Sequence, residues 1–201
     1  MAFEKFLTDK KAVAIVLDDA LYPQKDYLLQ VYYLFSEFMA YSEQIDAKVI
    51  IDFMSAEYEK AGSIDIFKKT ADKFSIPEKY QHNFDLLHET ARLPLKLLLF
   101  QGVLNLLQEA VIDRKQIFIL AEGNPAIAIN KIKQLEWNGL EQYLKLYFTK
   151  EYKNSLHLTV DQLLKEQGLE KDDLVLIVPK NQSEFKIVNS DIKCFSVTEI
   201  L

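Results

Sequence analysis

The chain has 201 residues, with 24 Lys and Arg against 30 Asp and Glu and a formal charge of -6 at pH 7. That length suits one domain, or one domain carrying an inserted subdomain, and a chain of this size buries roughly 70% of its unfolded surface, so a core needs no disulfide or metal to hold it. A single cysteine, Cys194, excludes a disulfide framework and a cysteine-based zinc cluster, while the acidic balance disfavours nucleic acid as a principal partner.

The opening residues mix both charge signs and lack the apolar core of a secretion signal. The longest uncharged apolar-leaning stretch, Leu97 to Gln108, is too short to cross a bilayer. The expectation is a cytoplasmic protein that does not enter a membrane. The first strong element is Ala12-Val-Ala-Ile-Val-Leu17, a continuous β-branched run ended by Asp18-Asp19, which reads as a strand buried on both faces. From Pro23 to about Ala110 the pattern turns helical. Tyr27, Val31, Leu34, Phe38 and Tyr41 recur at spacings of three and four, and further helices are expected over 47–60, 64–74, 77–90 and 94–111. Seven aromatics fall between Tyr22 and Tyr41, and such a stripe is read as a buried helix face rather than a ligand box.

Strand-like runs return at 116–121, 144–148, 174–178 and 192–197. Between them, Asn124 and Pro125 form the N-cap and first turn of a helix running through Ile127, Ile129, Ile132 and Leu135. A second helix covers 159–167 and ends at Gly168. Runs that do not alternate polar with apolar, separated by helices, predict an α/β three-layer sandwich with a parallel, Rossmann-like central sheet. The expected domains are an α/β core of residues 1–22 and 94–201 and an all-helical cap of residues 23–93.

Leu17-Asp-Asp-Ala-Leu-Tyr-Pro23, placed after strand one and before a helical insertion, resembles the haloacid dehalogenase-like hydrolases. Within that superfamily it looks like the phosphatase branch, whose first motif ends in Asp-Asp-Thr-Leu-Tyr-Pro. Ala121-Glu-Gly-Asn-Pro125 is similar to the Thr-Asn-Gly-Asn-Pro-like turn of the same branch. The resemblance implies four stations at the C-terminal edge of the sheet: an Asp nucleophile with an acid/base Asp two residues later, a Thr or Ser, a Lys, and acidic residues that complete a Mg²⁺ site. A hard cation wants clustered carboxylate oxygens, and covalent phosphoryl transfer wants an aligned carboxylate.

This chain departs from the pattern at those stations. Val16 occupies the nucleophile's place, Asp18 keeps that of the acid/base, and Ala20 replaces Thr. Ala121 and Glu122 stand at the second station, where Ala has no hydroxyl and Glu repels phosphate, while Gly123 and Asn124 keep the turn. Lys153 is the candidate for the Lys. Pro179 and Ser183 stand where metal-binding aspartates are expected, and Lys180 adds positive charge there. A Val side chain cannot act as a carboxylate nucleophile at any pH. The vestigial site is therefore Val16, Asp18, Ala20, Ala121, Glu122, Lys153 and Pro179, with Asp18, Gly123, Asn124, Lys153 and Lys180 left as ligand-binding candidates. No metal ligand set and no cofactor are expected. Glu122 and Glu184 are the available substitutes should Mg²⁺ bind.

Other chemistries find little support. His82 and His88 are six apart, off the spacing that puts two ligands on one helix face, and His157 stands alone. Nucleophile elbow, dinucleotide fingerprint and P-loop are all missing from the sequence. Cys194 reads as a small buried hydrophobe in a strand. The expected function is a catalytically degenerate phosphatase relative, a pseudoenzyme that binds a small molecule or a protein, with a homodimer as one arrangement. The alternative is a Mg²⁺-dependent phosphatase of a small phosphorylated metabolite.

Overall fold

The computed structural model describes residues 3–180 and 192–201. In chain order the elements are α1 (Glu4–Leu7), β1 (Ala12–Val16), α2 (Gln24–Glu43), α3 (Ala47–Ala61), α4 (Ile66–Phe74), α5 (Gln81–Thr90) and β2 (Leu97–Leu98). Then come α6 (Gln101–Ile112), β3 (Gln116–Ala121), α7 (Pro125–Gln134), β4 (Leu135–Glu136), β5 (Leu144–Phe148), α8 (Leu156–Gln167), β6 (Leu174–Val178) and β7 (Lys193–Ser196). The chain divides into two compact units, one of Met1–Pro23, Leu98–Ala128 and Leu135–Leu201, the other of Gln24–Leu97 with Ile129–Gln134.

The first unit is an α/β body around a five-stranded sheet in the order β5-β3-β1-β6-β7, all pairs parallel. All five strands lie where apolar runs placed them, though β1 and β7 are shorter than 12–17 and 192–197. Every residue of β1 and of β6 is buried, as expected of strands covered on both faces. Numbered along the chain, the five strands take the order 3-2-1-4-5. The order of connection reverses between the parallel neighbours β1 and β6, the kind of switch point outside whose C-terminal strand ends open α/β sheets bind ligands. Val16 lies opposite Leu120 and Ile15 opposite Ile177, so the ends of β1, β3 and β6 meet at one edge.

Helix boundaries follow local chemistry. Asn124 Oδ1 accepts from the Ala126 amide at 2.9 Å and caps α7, as read from the sequence. The side chain of Ser155 caps α8 by accepting from the Leu158 amide, so this helix begins three residues before the expected 159 and ends at the left-handed Gly168. The expected helix over 94–111 starts only at Gln101, because the chain is extended at Leu97–Leu98 before turning. Helix α5 likewise begins at Gln81, after a single 3-10 turn over Glu78–Tyr80.

The second unit is helical, with an aromatic core. The Phe35 and Phe84 rings meet edge to face at 5.1 Å between centroids, and Phe67 lies 5.7 Å from each. The buried face of α2 is Tyr27, Leu28, Val31, Tyr32, Phe35 and Met39, whereas Tyr41 is 85% exposed. The stripe expected from Tyr27 to Tyr41 is thus turned by about one residue. Apolar residues flank both candidate faces, so spacing alone left the phase open, and packing of the larger rings decided it. On α7, similarly, Ile129 is exposed while Asn130 and Lys131 are buried, inverting the apolar pattern for a reason given below.

Candidate active-site edge

The turn after β1 is closed by its own atoms. The Leu17 amide donates to the Leu120 carbonyl at 2.9 Å, extending the ladder one residue past Val16. Asp19 adopts φ 56, a left-handed conformation that Asp tolerates better than bulkier residues, and its amide donates to the Tyr22 carbonyl at 3.0 Å. Tyr22, fully buried, donates its hydroxyl to Asp18 Oδ1 at 2.8 Å, and the Phe100 amide donates to the Leu21 carbonyl at 3.0 Å. Val16, Leu17, Ala20 and Ala121 are each 1% exposed or less. The edge is therefore floored with apolar side chains, and the half-buried Asp18 carboxylate has one oxygen engaged by a phenol.

Elsewhere along this edge, Glu122 and Gly123 are exposed after β3, with Gly123 at φ +76, a conformation that suits glycine. Lys153 is exposed in a left-handed turn after β5, at φ 58, and makes no ion pair among the described residues. Pro179 and Lys180 directly follow β6, Lys180 exposed; Ser183 and Glu184 lie outside the described residues. Cys194 in β7 is half-buried rather than buried, as suits an edge strand. The three histidines are scattered: His82 is exposed, His157 Nε2 lies 3.4 Å from Asp161, and His88 Nδ1 faces the Tyr27 hydroxyl at 3.2 Å.

No protein-family model matches the sequence, and no curated protein does. Solved structures do match the fold. An L-2-haloacid dehalogenase superposes with a TM-score of 0.56 at 11% identity, over 92% of this chain and 83% of its own. The UTR4 protein of Saccharomyces cerevisiae gives 0.55 at 10%, over 92% and 89%, and a hydrolase from Streptococcus pneumoniae 0.51 at 12%, over 94% and 92%. The chain has the fold of the haloacid dehalogenase-like hydrolases. At these identities the likeness is one of fold, and the chemistry has to be read from the side chains.

In a phosphatase of this fold, the resemblance implies an aspartate nucleophile and a Mg²⁺ ion at this edge. At the described positions that the resemblance assigns to the ion the donors do not fit it, although Glu122 is exposed beside them and Glu184 lies outside the described residues. Mg²⁺ takes oxygen ligands in a near-octahedral shell, normally with at least one or two protein carboxylates. Val16 offers methyl groups, Pro179 offers a ring, Asp18 Oδ1 already accepts from Tyr22, and Lys180 brings the wrong sign. Among the described residues, no three His, Cys, Asp or Glu side chains group closely enough to hold a metal. Nor is any described helix long and apolar enough to cross a membrane. The Tyr22–Asp18 contact escaped the sequence reading, although their spacing of four was visible; that spacing usually signals a helix, and here it closes a turn.

Proposed function

We propose that this chain is a catalytically degenerate relative of the haloacid dehalogenase-like phosphatases that works as a binding or interaction module. The observation that carries the reading is Val16. It ends β1 at the nucleophile's place, is 1% exposed, and has no lone pair to offer phosphorus. Ala20 and Ala121 remove the hydroxyls of two further stations, and the Asp18 carboxylate is engaged inside its own turn. Groups that act as a unit in covalent phosphoryl transfer are thus replaced together, and loss of the nucleophile alone removes the covalent step.

The test is turnover of para-nitrophenyl phosphate with Mg²⁺ by the purified protein. The expected rate equals that of buffer. Turnover that disappears in Asp18→Asn would overturn the proposal and establish the Mg²⁺-dependent phosphatase reading in its place.

A further inference from the structure

We propose that a groove in the helical unit, formed by residues 90–96 with Asn130, Lys133 and Gln134, binds a compact multivalent anion: a small organic phosphate or polycarboxylate. The inference goes beyond the function proposed above and does not depend on it.

Charge provides the first argument. In a chain of net charge -6, the lining of this groove contains Arg92, Lys96 and Lys133 and no Asp or Glu. Lys11, Lys25, Lys48, Lys60 and Lys115 each pair with a carboxylate. Arg92, Lys96 and Lys133 make no ion pair and no side-chain hydrogen bond with any described residue. Like charges gathered without counter-charges repel, and a bound anion relieves that repulsion.

The second argument is the scaffold. The segment carrying Arg92 and Lys96 has no helix or long strand to hold it, yet its backbone is pinned. Asn130, 9% exposed, donates through Nδ2 to the carbonyls of His88 at 3.1 Å and Ala91 at 3.2 Å. Gln134 donates to the Ala91 carbonyl at 2.8 Å and accepts from the Leu93 amide at 2.6 Å. Gln30 Oε1 accepts from the Leu95 amide at 2.7 Å. These bonds explain why α7 turns Asn130 inward and Ile129 outward. They also fix the mounting points of the basic side chains, so less order has to be imposed when a ligand arrives.

Size and shape agree. The groove holds about 350 Å³, at the lower end of the range for small-molecule sites. Arg92 supplies a planar fork suited to two oxygens of one phosphate or carboxylate, and the two lysines supply point charges. Lys133 sits in the last turn of α7, where helix carbonyls present roughly half a negative charge. Three formal positive charges outweigh it. Three cations on an otherwise acidic chain are too few to track a nucleic acid backbone, which favours a small ligand.

Isothermal titration with inorganic pyrophosphate and with citrate, at constant ionic strength, tests the assignment. Expected is saturable binding that weakens at least tenfold in Arg92→Ala/Lys133→Ala, persists within threefold in Arg92→Lys/Lys133→Arg, and is unchanged in Lys153→Ala. Because both basic residues are exposed, the variants retain the fold, which circular dichroism checks. Absence of binding, equal binding by the alanine variant, or dependence on Lys153 would each overturn the site. Binding of a phosphoserine peptide with none of pyrophosphate would replace the small anion by a protein partner. None of these outcomes alters the turnover result, so failure here is separable from failure of the non-catalytic reading.

Discussion

Replacing Val16 by Asp returns a carboxylate to the end of β1 and asks what the surrounding shell does with it. The wild-type residue is 1% exposed, and Leu17, Ala20, Ala121 and Val178 around it on this edge are equally buried. The nearest carboxylate in sequence, Asp18, has the same sign. Burial in such a setting raises a carboxyl pKa by as much as about 3 to 5 units. At 1.36 kcal/mol per unit, that limit corresponds to about 4 to 7 kcal/mol at neutral pH, comparable with the whole stability of a typical domain. The sign follows from linkage: the folded variant holds its proton more tightly than the unfolded chain, so its deficit opens as pH rises from the unfolded value near 3.9 through the raised folded value. Urea unfolding, followed by the fluorescence of Trp137, should give a midpoint at about pH 4 lowered only as far as the roughly 1–3 kcal/mol cost of burying a neutral carboxyl requires, and one much further below wild type at about pH 8. Millimolar Mg²⁺ should not restore the midpoint. A variant as stable as wild type at about pH 8, or one rescued in proportion to the Mg²⁺ added, would refute the apolar edge described above and reveal a cation-ready shell.

Gly102, in the first turn of α6, leaves no room for a side chain: a methyl there would run into the carbonyl oxygen of Ile200. Gly102→Ala should destabilise by roughly 1–3 kcal/mol, a fall in melting temperature of about 2–4 °C per kcal/mol, and an unchanged melting curve would show that the C-terminal turn is not seated there. His88 has a pKa lowered to about 4, first by burial and then by the charge of Lys131, with Asp85 opposing. The Tyr27 hydroxyl, which contacts it, donates to the His88 carbonyl at 2.7 Å. The unfolded chain protonates more readily, so the contribution of His88 is complete above about pH 6.5 and is lost as pH falls towards 4, by at most about 3 kcal/mol. His88→Gln should flatten the stability profile across that window, and an unchanged slope would place the acid sensitivity elsewhere.

The centre of the sheet was legible because β1, β3 and β6 are buried almost throughout, which forces continuous apolar runs such as Leu174-Val-Leu-Ile-Val178, while the edge strands β5 and β7 are largely exposed or half-buried and read more weakly. Helix phase was less legible. Residues 27 to 41 are apolar on two adjacent faces of α2, and only the partners contributed by α4 and α5 decide that Phe35 goes in and Tyr41 goes out. The apolar edge could be read from the sequence through Val16, Ala20 and Ala121, because Leu21-Tyr-Pro23 fixes the register. The basic groove could not. Lys133 lies 41 positions from Arg92 in the sequence, and α7 gains its place beside the 91–96 segment through Asn130 and Gln134, whose polar side chains read as solvated until their backbone partners are known.

Two hydrogen bonds explain how the turn after β1 keeps its shape without a ligand. In a phosphatase of this fold, converging carboxylates at the edge repel one another and lean on a cation for relief. Here Val16, Ala20 and Ala121 are buried apolar side chains at that edge, and the polar groups of the turn are satisfied within it: Asp18 accepts from Tyr22, and the Asp19 amide donates to the Tyr22 carbonyl. Each bond is worth only about 0.5–1.5 kcal/mol net, rising to about 1.5–3 for the one to a charged oxygen. Leaving Asp18 or the turn amides unpaired would cost as much again, so the bonds hold the turn in place without a ligand. A loop kept in shape by its own atoms does not need a substrate or metal for its geometry. Backbone similarity to solved enzymes of this fold is therefore what this edge should show whether or not it catalyses anything. That is why the decision rests on Val16 and on turnover rather than on superposition.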